Sequence, residues 1–240
     1  MKTFELTSYP DAASLAQFVA QRWLTEVRNA SARGNAFFVA LSGGRIAKTL
    51  FLSVAKMALE LSISFEQVHF FWADERCVPP TDPESNFALA WQTLLLPLGV
   101  PLARIHRIAG EEPPDTAAAN AENEIKNVIS HKARGLPVLD LVLLGMGEDG
   151  HVASLFPGDL TDTIAQPPIY RPVIGPKPPP HRITISYDMI AAGRQVWVLA
   201  SGIGKEETLK NSLGETGTTP LAQVLRMRRN TFLYTDLKFQ

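Results

Sequence analysis

Apolar positions along this 240-residue chain follow two rhythms that alternate from one end to the other. From 11 to 29 they recur at helical spacing, with Leu15, Phe18, Val19, Trp23 and Val27 behind a Pro-Asp start, which predicts an amphipathic helix. Short, mainly apolar runs at 36–41, 67–72, 138–144 and 195–200 predict strands covered on both faces. Shorter strand patterns fall at 2–7, 104–108, 182–186 and 231–234. Helical patterns fill the intervals: one from the Ser-Gly-Gly at 42–44 to about Leu59, one over 85–96, one over 116–132, and shorter ones starting at Lys205 and Leu221. This alternation predicts an α/β fold with a doubly wound, largely parallel sheet and helices on both faces. No repeat or low-complexity stretch interrupts it. The segment 166–181 holds seven prolines. Too little chain follows it to make a separate α/β unit, so it is expected to be a rigid loop at the active site within a single domain spanning 1–240.

Chemistry concentrates where the 138–144 strand empties into Gly145-Met-Gly-Glu-Asp-Gly-His151. Gly145, Gly147 and Gly150 let the backbone turn, and Asp149 and His151 are presented at the carboxyl end of a strand, where ligands bind in open α/β sheets. The glycines fit the G-x-G-x-x-G pattern of dinucleotide sites. That pattern needs a long helix directly after it and an acidic residue about 20 positions on, closing a second strand. Pro157-Gly158 cut the helix short, and Pro167-Pro168 occupy the place of that strand's end, so a nicotinamide or flavin site is excluded.

Three further strand-to-helix or strand-end turns carry polar groups. Ser42, Gly43 and Gly44 precede a helix N-terminus suited to a phosphate or carboxylate, as well as to a plain tight turn. Asp74, Glu75 and Arg76 end the 67–72 strand and read as part of a site or as a surface ion pair, and Lys205 after Gly202 and Gly204 is open to the same two readings, functional or solvated. With the turn at 147–151, all are expected to open on one sheet edge. His181-Arg182 after three prolines reads as an anion clamp or as a solvated strand end. Cys77 has no base beside it in sequence, and no G-x-S-x-G elbow occurs. His69 lies inside a strand and reads as structural, while His106 and His131 lack partners at metal-ligand spacing, so no metal site is expected. Trp23, Trp72, Trp91 and Trp197 sit in apolar patterns and belong to the core.

Charge and cysteine content narrow the class. With 23 Lys and Arg against 24 Asp and Glu, the net charge of −1 gives no field for nucleic acid or an anionic membrane. The single cysteine excludes an internal disulfide and a cysteine-based zinc site. The N-terminal residues lack the basic and apolar regions of a signal peptide, and no apolar run approaches the ~18 residues of a membrane span, so a cytoplasmic protein is expected.

Taken in order, LSGG at 41–44, DER at 74–76, SN at 85–86, LLGMGEDGHVASLFP at 143–157, RIT at 182–184 and SGIGK at 201–205 resemble the 6-phosphogluconolactonases across nearly the whole chain. The resemblance implies hydrolysis of 6-phospho-D-glucono-1,5-lactone without a cofactor, by a monomer or weak homo-oligomer. It makes His151 the base that activates water and Asp149 the group that orients it. It assigns Arg76, Arg182 and Lys205 to the phosphate and carboxyl ends of the substrate, and Asp74 and Asn86 to the sugar pocket. The sister glucosamine-6-phosphate deaminases/isomerases continue the D-G-H turn as I-A-F-N-E-P, with a catalytic glutamate where this chain has Phe156. A sugar-phosphate sensor is the other alternative. No DNA-binding helix pair is visible before Asp11 or after Thr235. One departure stands out. Where the family carries a Ser-Pro or Thr-Pro hydroxyl as a phosphate ligand, this chain reads Arg45-Ile46-Ala47; Ile46 cannot donate, so Arg45 is expected either to take over or to point to solvent.

Overall fold

The computed structural model describes residues 4–158 and 168–238; Lys2, at the start of the first expected strand, and Gln166 and Pro167, at the start of the proline-rich segment, lie outside them. In chain order the elements begin with β1 (Phe4–Ser8), α1 (Ala12–Ala32), β2 (Phe37–Leu41), α2 (Arg45–Glu60), β3 (Val68–Trp72) and β4 (Asp74–Arg76). Next come α3 (Asn86–Ala90), running on as a π turn over Trp91–Leu95, then α4 (Pro114–Val128), β5 (Lys132–Ala133), β6 (Leu136–Pro137) and β7 (Leu141–Gly145). The chain closes with β8 (Tyr170–Ile174), β9 (His181–Ile185), α5 (Tyr187–Ala192), β10 (Gln195–Ala200), α6 (Glu206–Leu213), α7 (Pro220–Met227) and β11 (Thr231–Thr235).

Six strands form an all-parallel sheet in the order β1-β11-β10-β7-β2-β3. Its central strands are buried along most of their length, as their mainly apolar runs require, with Val39, Leu141, Val142 and Val198 at zero exposure. Helix α1 starts where the Asp11 carboxylate accepts from Ser14 N at 2.7 Å, and it buries Leu15, Val19, Trp23 and Val27. Phe18, from the same pattern, is 44% exposed and leans on Tyr9 and Tyr234 at the sheet's edge. Trp72 and Trp197 are fully buried, whereas Trp91 is only partly covered. Among the described residues, no helix is long and apolar enough to cross a membrane.

Four expectations need correction. The segment 104–108 is not a strand: only Ile105 bridges Phe70, before the chain turns at Ile108–Gly110. Residues 74–76 and 182–186 do not join the parallel sheet. They lie in a separate antiparallel sheet, β4-β9-β8, in which Asp74 faces Thr184 and Arg76 faces Arg182. The proline-rich segment is not all loop, because Tyr170–Ile174 forms the outer strand of that sheet; an edge position tolerates Pro172, whose missing N–H breaks no ladder. The helix expected to reach residue 132 ends at Val128, ahead of a hairpin turning on Arg134 and Gly135, both at positive φ.

Partners missing at short spacing are supplied by the fold for two histidines. Arg104 Nη1 lies 2.8 Å from His69 Nε2, His69 Nδ1 lies 2.9 Å from His106 Nε2, and His106 Nδ1 lies 2.7 Å from Glu124 Oε1. Arg104 can only donate, so His69 must carry its proton on Nδ1 and His106 on Nδ1, both rings neutral. Burial, with Arg104 and His106 beside it, pushes the His69 imidazole down to about 4. Unfolded chain therefore takes up a proton between about pH 6.5 and 4 that folded protein refuses, and stability falls as pH drops through this window. Urea denaturation at pH 7 and pH 4.5 should show His69→Gln losing about 2–3 kcal/mol less on acidification than the parent does. Equal losses would show that this ring does not drive the acid sensitivity.

Candidate active site

Three of the expected turns meet at the carboxyl edge of the parallel sheet, because β2, β7 and β10 are neighbours in it. A methyl at Gly145 would lie 3.7 Å from Gly43 O, and Lys205 Nζ donates to Met146 O at 2.6 Å. The fourth cluster, 74–76, reaches the same region as a strand rather than as a turn.

At the centre, the turn after β7 folds back on itself, with Gly147 N donating to His151 O at 2.9 Å. Asp149 Oδ1 thereby sits 2.5 Å from His151 Nδ1 and accepts from His151 N at 3.1 Å. Spacing alone did not dictate this pairing; the turn does. Gly147 is required by a close approach, since a Cβ there would stand 2.1 Å from the Nδ1 and Cε1 atoms of the ring. Burial pushes the Asp149 carboxyl up, but the His151 ring and backbone N–H outweigh it and hold the group below the usual carboxylate range. With Nδ1 committed as a donor to Asp149, Nε2 is the ring's free lone pair.

Phe156 lies on the far side of the imidazole, ring centroids 4.9 Å apart, and Arg182 Cζ sits 5.6 Å from its ring. Arg182 is 7% exposed and donates to the carbonyls of Pro179 at 3.1 Å and Lys177 at 3.3 Å. Burial and its cross-strand neighbour Arg76 pull its guanidinium down from its ordinary value. Arg76 is partly neutralised by Glu84 at 3.4 Å, and its Nε is buried without a hydrogen-bond partner among the described residues. Two adjacent guanidiniums with spare donors are suited to an anion.

Asp74 and Asn86 are 4% and 3% exposed, and they stitch the other parts together. Asp74 Oδ2 accepts from Ser154 Oγ at 2.7 Å, three residues beyond His151, while Asn86 Nδ2 donates to Asp74 O at 2.8 Å. Asn86 Oδ1 presses on Gly43, where a Cβ would come within 1.9 Å of it. Ser154 was not singled out from the sequence, although it lies inside the 143–157 motif. Glu75 is no surface ion pair. It is 2% exposed and accepts from Arg76 N, Asn86 N, Phe87 N and Ser85 Oγ at 2.7, 2.8, 2.7 and 3.0 Å, bracing the start of α3. Burial pushes its carboxyl up to about 7 against those four bonds.

A second group of cations flanks the Ser-Gly-Gly turn. Ile46 is buried among core side chains, whereas Arg45 is exposed. A methyl at Gly202 would lie 3.8 Å from Arg45 Nη2 and 4.0 Å from Lys205 Cε, so both side chains approach that glycine. Burial and Arg45 both pull the Lys205 ammonium down. Ser42 Oγ is buried with no hydrogen-bond partner among the described residues. Cys77 stands beside β4, its thiol pushed up by burial and by Glu75, which makes it a poor nucleophile. No group of three or more His, Cys, Asp or Glu side chains among the described residues is arranged to hold a metal ion.

Comparison with known proteins gives this edge a context. The chain is 35% identical over 193 residues to 6-phosphogluconolactonase 3, chloroplastic, of Arabidopsis thaliana, covering 78% of this chain but only 59% of that protein. It is 33% identical over 225 residues to the 6-phosphogluconolactonase of Streptomyces coelicolor, covering 90% and 85% of the two chains. The solved 6-phosphogluconolactonase of Trypanosoma cruzi superposes with a TM-score of 0.84 at 27% identity, over 98% of this chain and 96% of that one. The family model for glucosamine-6-phosphate isomerases/6-phosphogluconolactonase matches residues 10–233, and the chain belongs to that family.

Proposed function

We propose that this chain is a cytoplasmic, single-domain 6-phosphogluconolactonase that opens 6-phospho-D-glucono-1,5-lactone to 6-phosphogluconate. The observation that carries the reading is the 2.5 Å Asp149–His151 pair set among Arg76, Arg182, Arg45 and Lys205. Water attacks the C1 carbonyl as His151 Nε2 takes its proton, and the carbonyl electrons move to oxygen. When the tetrahedral species collapses, the bond from C1 to the ring oxygen breaks and the imidazolium returns the proton to that oxygen. Lactone and water thus become the hydroxy acid, with the imidazole regenerated. Asp149 favours the imidazolium between the two steps. A deaminase or isomerase needs a carboxylate at the position of Phe156, which here is an apolar ring against the base.

The decisive experiment is hydrolysis of freshly prepared 6-phosphogluconolactone with the spontaneous rate subtracted. Turnover above background is expected. Binding of 6-phosphogluconate without turnover would instead favour a sugar-phosphate sensor.

Arg45 is the residue by which this chain replaces the missing phosphate-binding hydroxyl. Its guanidinium and the Lys205 side chain both approach Gly202, and the N-terminal N–H groups of α2, which Arg45 begins, also favour an anion. Arg45→Ala is expected to raise KM for the phosphorylated lactone about three- to ten-fold with kcat nearly unchanged, the pattern of lost uniform binding. An unchanged KM would make Arg45 a solvent-facing side chain.

A further inference from the structure

The turn that carries Asp149 is gripped from outside. Its alternate carbonyls are each taken: Met146 O by Lys205 Nζ at 2.6 Å, Glu148 O by Thr208 Oγ1 at 2.7 Å, and Gly150 O by Leu221 N at 3.0 Å. All three donors come from α6, α7 or the residue leading into α6. Of these, Thr208 is the one that spans Asp149. Its hydroxyl reaches the carbonyl just before Asp149. Its methyl packs under Gly150 just after, 3.1 Å from where a Cβ would stand. A helical threonine commonly turns its hydroxyl back on the carbonyl one turn earlier. Thr208 spends it on a residue 60 positions away.

We infer that Thr208 is a positioning residue of the reaction: by holding the peptide units on both sides of Asp149, it fixes the carboxylate that in turn orients His151. The turn needs such a support. The turn's own bonds, Gly147 N to His151 O at 2.9 Å and Gly150 N to Gly147 O at 3.1 Å, close it around Glu148 and Asp149 without engaging Glu148 O, the carbonyl that Thr208 holds. Asp149 uses one oxygen for both the ring and the backbone N–H of His151, and a small rotation of the turn would lose both bonds. Displacements of that kind away from the reacting atoms are costly to rate. The inference rests on His151 being the base of the proposed lactonase.

Thr208→Val keeps the branched shape and the methyl under Gly150 but removes the donor, at little cost in helix propensity. Thr208→Ser keeps the donor. Lactonase kinetics should show Thr208→Val lowering kcat about ten-fold with KM within about two-fold of the parent, and Thr208→Ser close to the parent. Amide hydrogen exchange at Gly150 and His151, followed by NMR on the folded protein, should be faster in the valine variant and unchanged in the serine variant. Parent-like kcat and exchange in Thr208→Val would overturn the role. Should the parent show no lactonase turnover, the proposed function fails by itself. The exchange rates then decide separately whether Thr208 holds the turn: faster exchange in the valine variant supports this, and unchanged exchange overturns it. Melting temperatures measured alongside identify any loss that is merely unfolding.

Discussion

His151→Ala is expected to lower kcat by about 10²–10⁴-fold, the usual contribution of a positioned general base, while the folded variant still binds 6-phosphogluconate. The separation follows from the layout of the site. The imidazole owes its place to Asp149, Gly147 and Phe156, whereas the cations that would hold the substrate are anchored independently on β4, β9, α2 and the approach to α6. Asp149→Asn should lower the rate, because asparagine still reaches Nδ1 but brings no charge to favour the imidazolium formed during turnover. Near-normal turnover in His151→Ala, with unchanged thermal stability, would move attention to Asp149 itself or to Asp74.

The second large effect concerns the substrate. Removing the phosphate from the lactone is expected to cost at least ~10²-fold in kcat/KM, since charge-assisted hydrogen bonds contribute about 1.5–3 kcal/mol each and more than one cation is available. Arg76 and Arg182 face each other across β4 and β9, and Lys205 stands beside Arg45. Burial and a like-charged neighbour pull Arg182 and Lys205 down in pKa, a cost that a bound anion relieves. Comparing glucono-δ-lactone with its 6-phosphate under identical conditions, each corrected for spontaneous opening, measures the term directly. Equal efficiencies on the two lactones would refute the phosphate assignment. A loss confined to KM would show that phosphate is bound equally in the ground and transition states.

Much of this molecule is legible in its sequence, for a physical reason. Strands buried on both faces must be apolar throughout, and a helix laid on them must be apolar on one side, so hydrophobic rhythm alone places α1, α2 and the central strands to within a few residues. The glycines of the turn after β7 mark where side chains have no room, and Asp149 and His151 stand out between them. What rhythm does not encode is partnership between distant segments. Short strands such as 74–76 and 182–186 look alike whichever sheet they enter, and only the fold shows that they pair antiparallel beside the main sheet and so bring Arg76 to Arg182. Glu75 reads as a surface charge until α3 is seen to close over it. The His69–His106–Glu124 contacts join residues 37 and 18 positions apart. Ser154 and Thr208 carry no chemical signature of their own. Their roles arise because Asp74 lies 80 positions from one and Glu148 60 positions from the other, distances that only chain folding closes. The sequence by itself determined the parallel α/β scaffold and singled out Asp149 and His151, because burial and backbone turning leave residue-level marks. Tertiary structure alone decided which side chains hold that pair in place, because a hydrogen bond between remote segments leaves no periodicity to read.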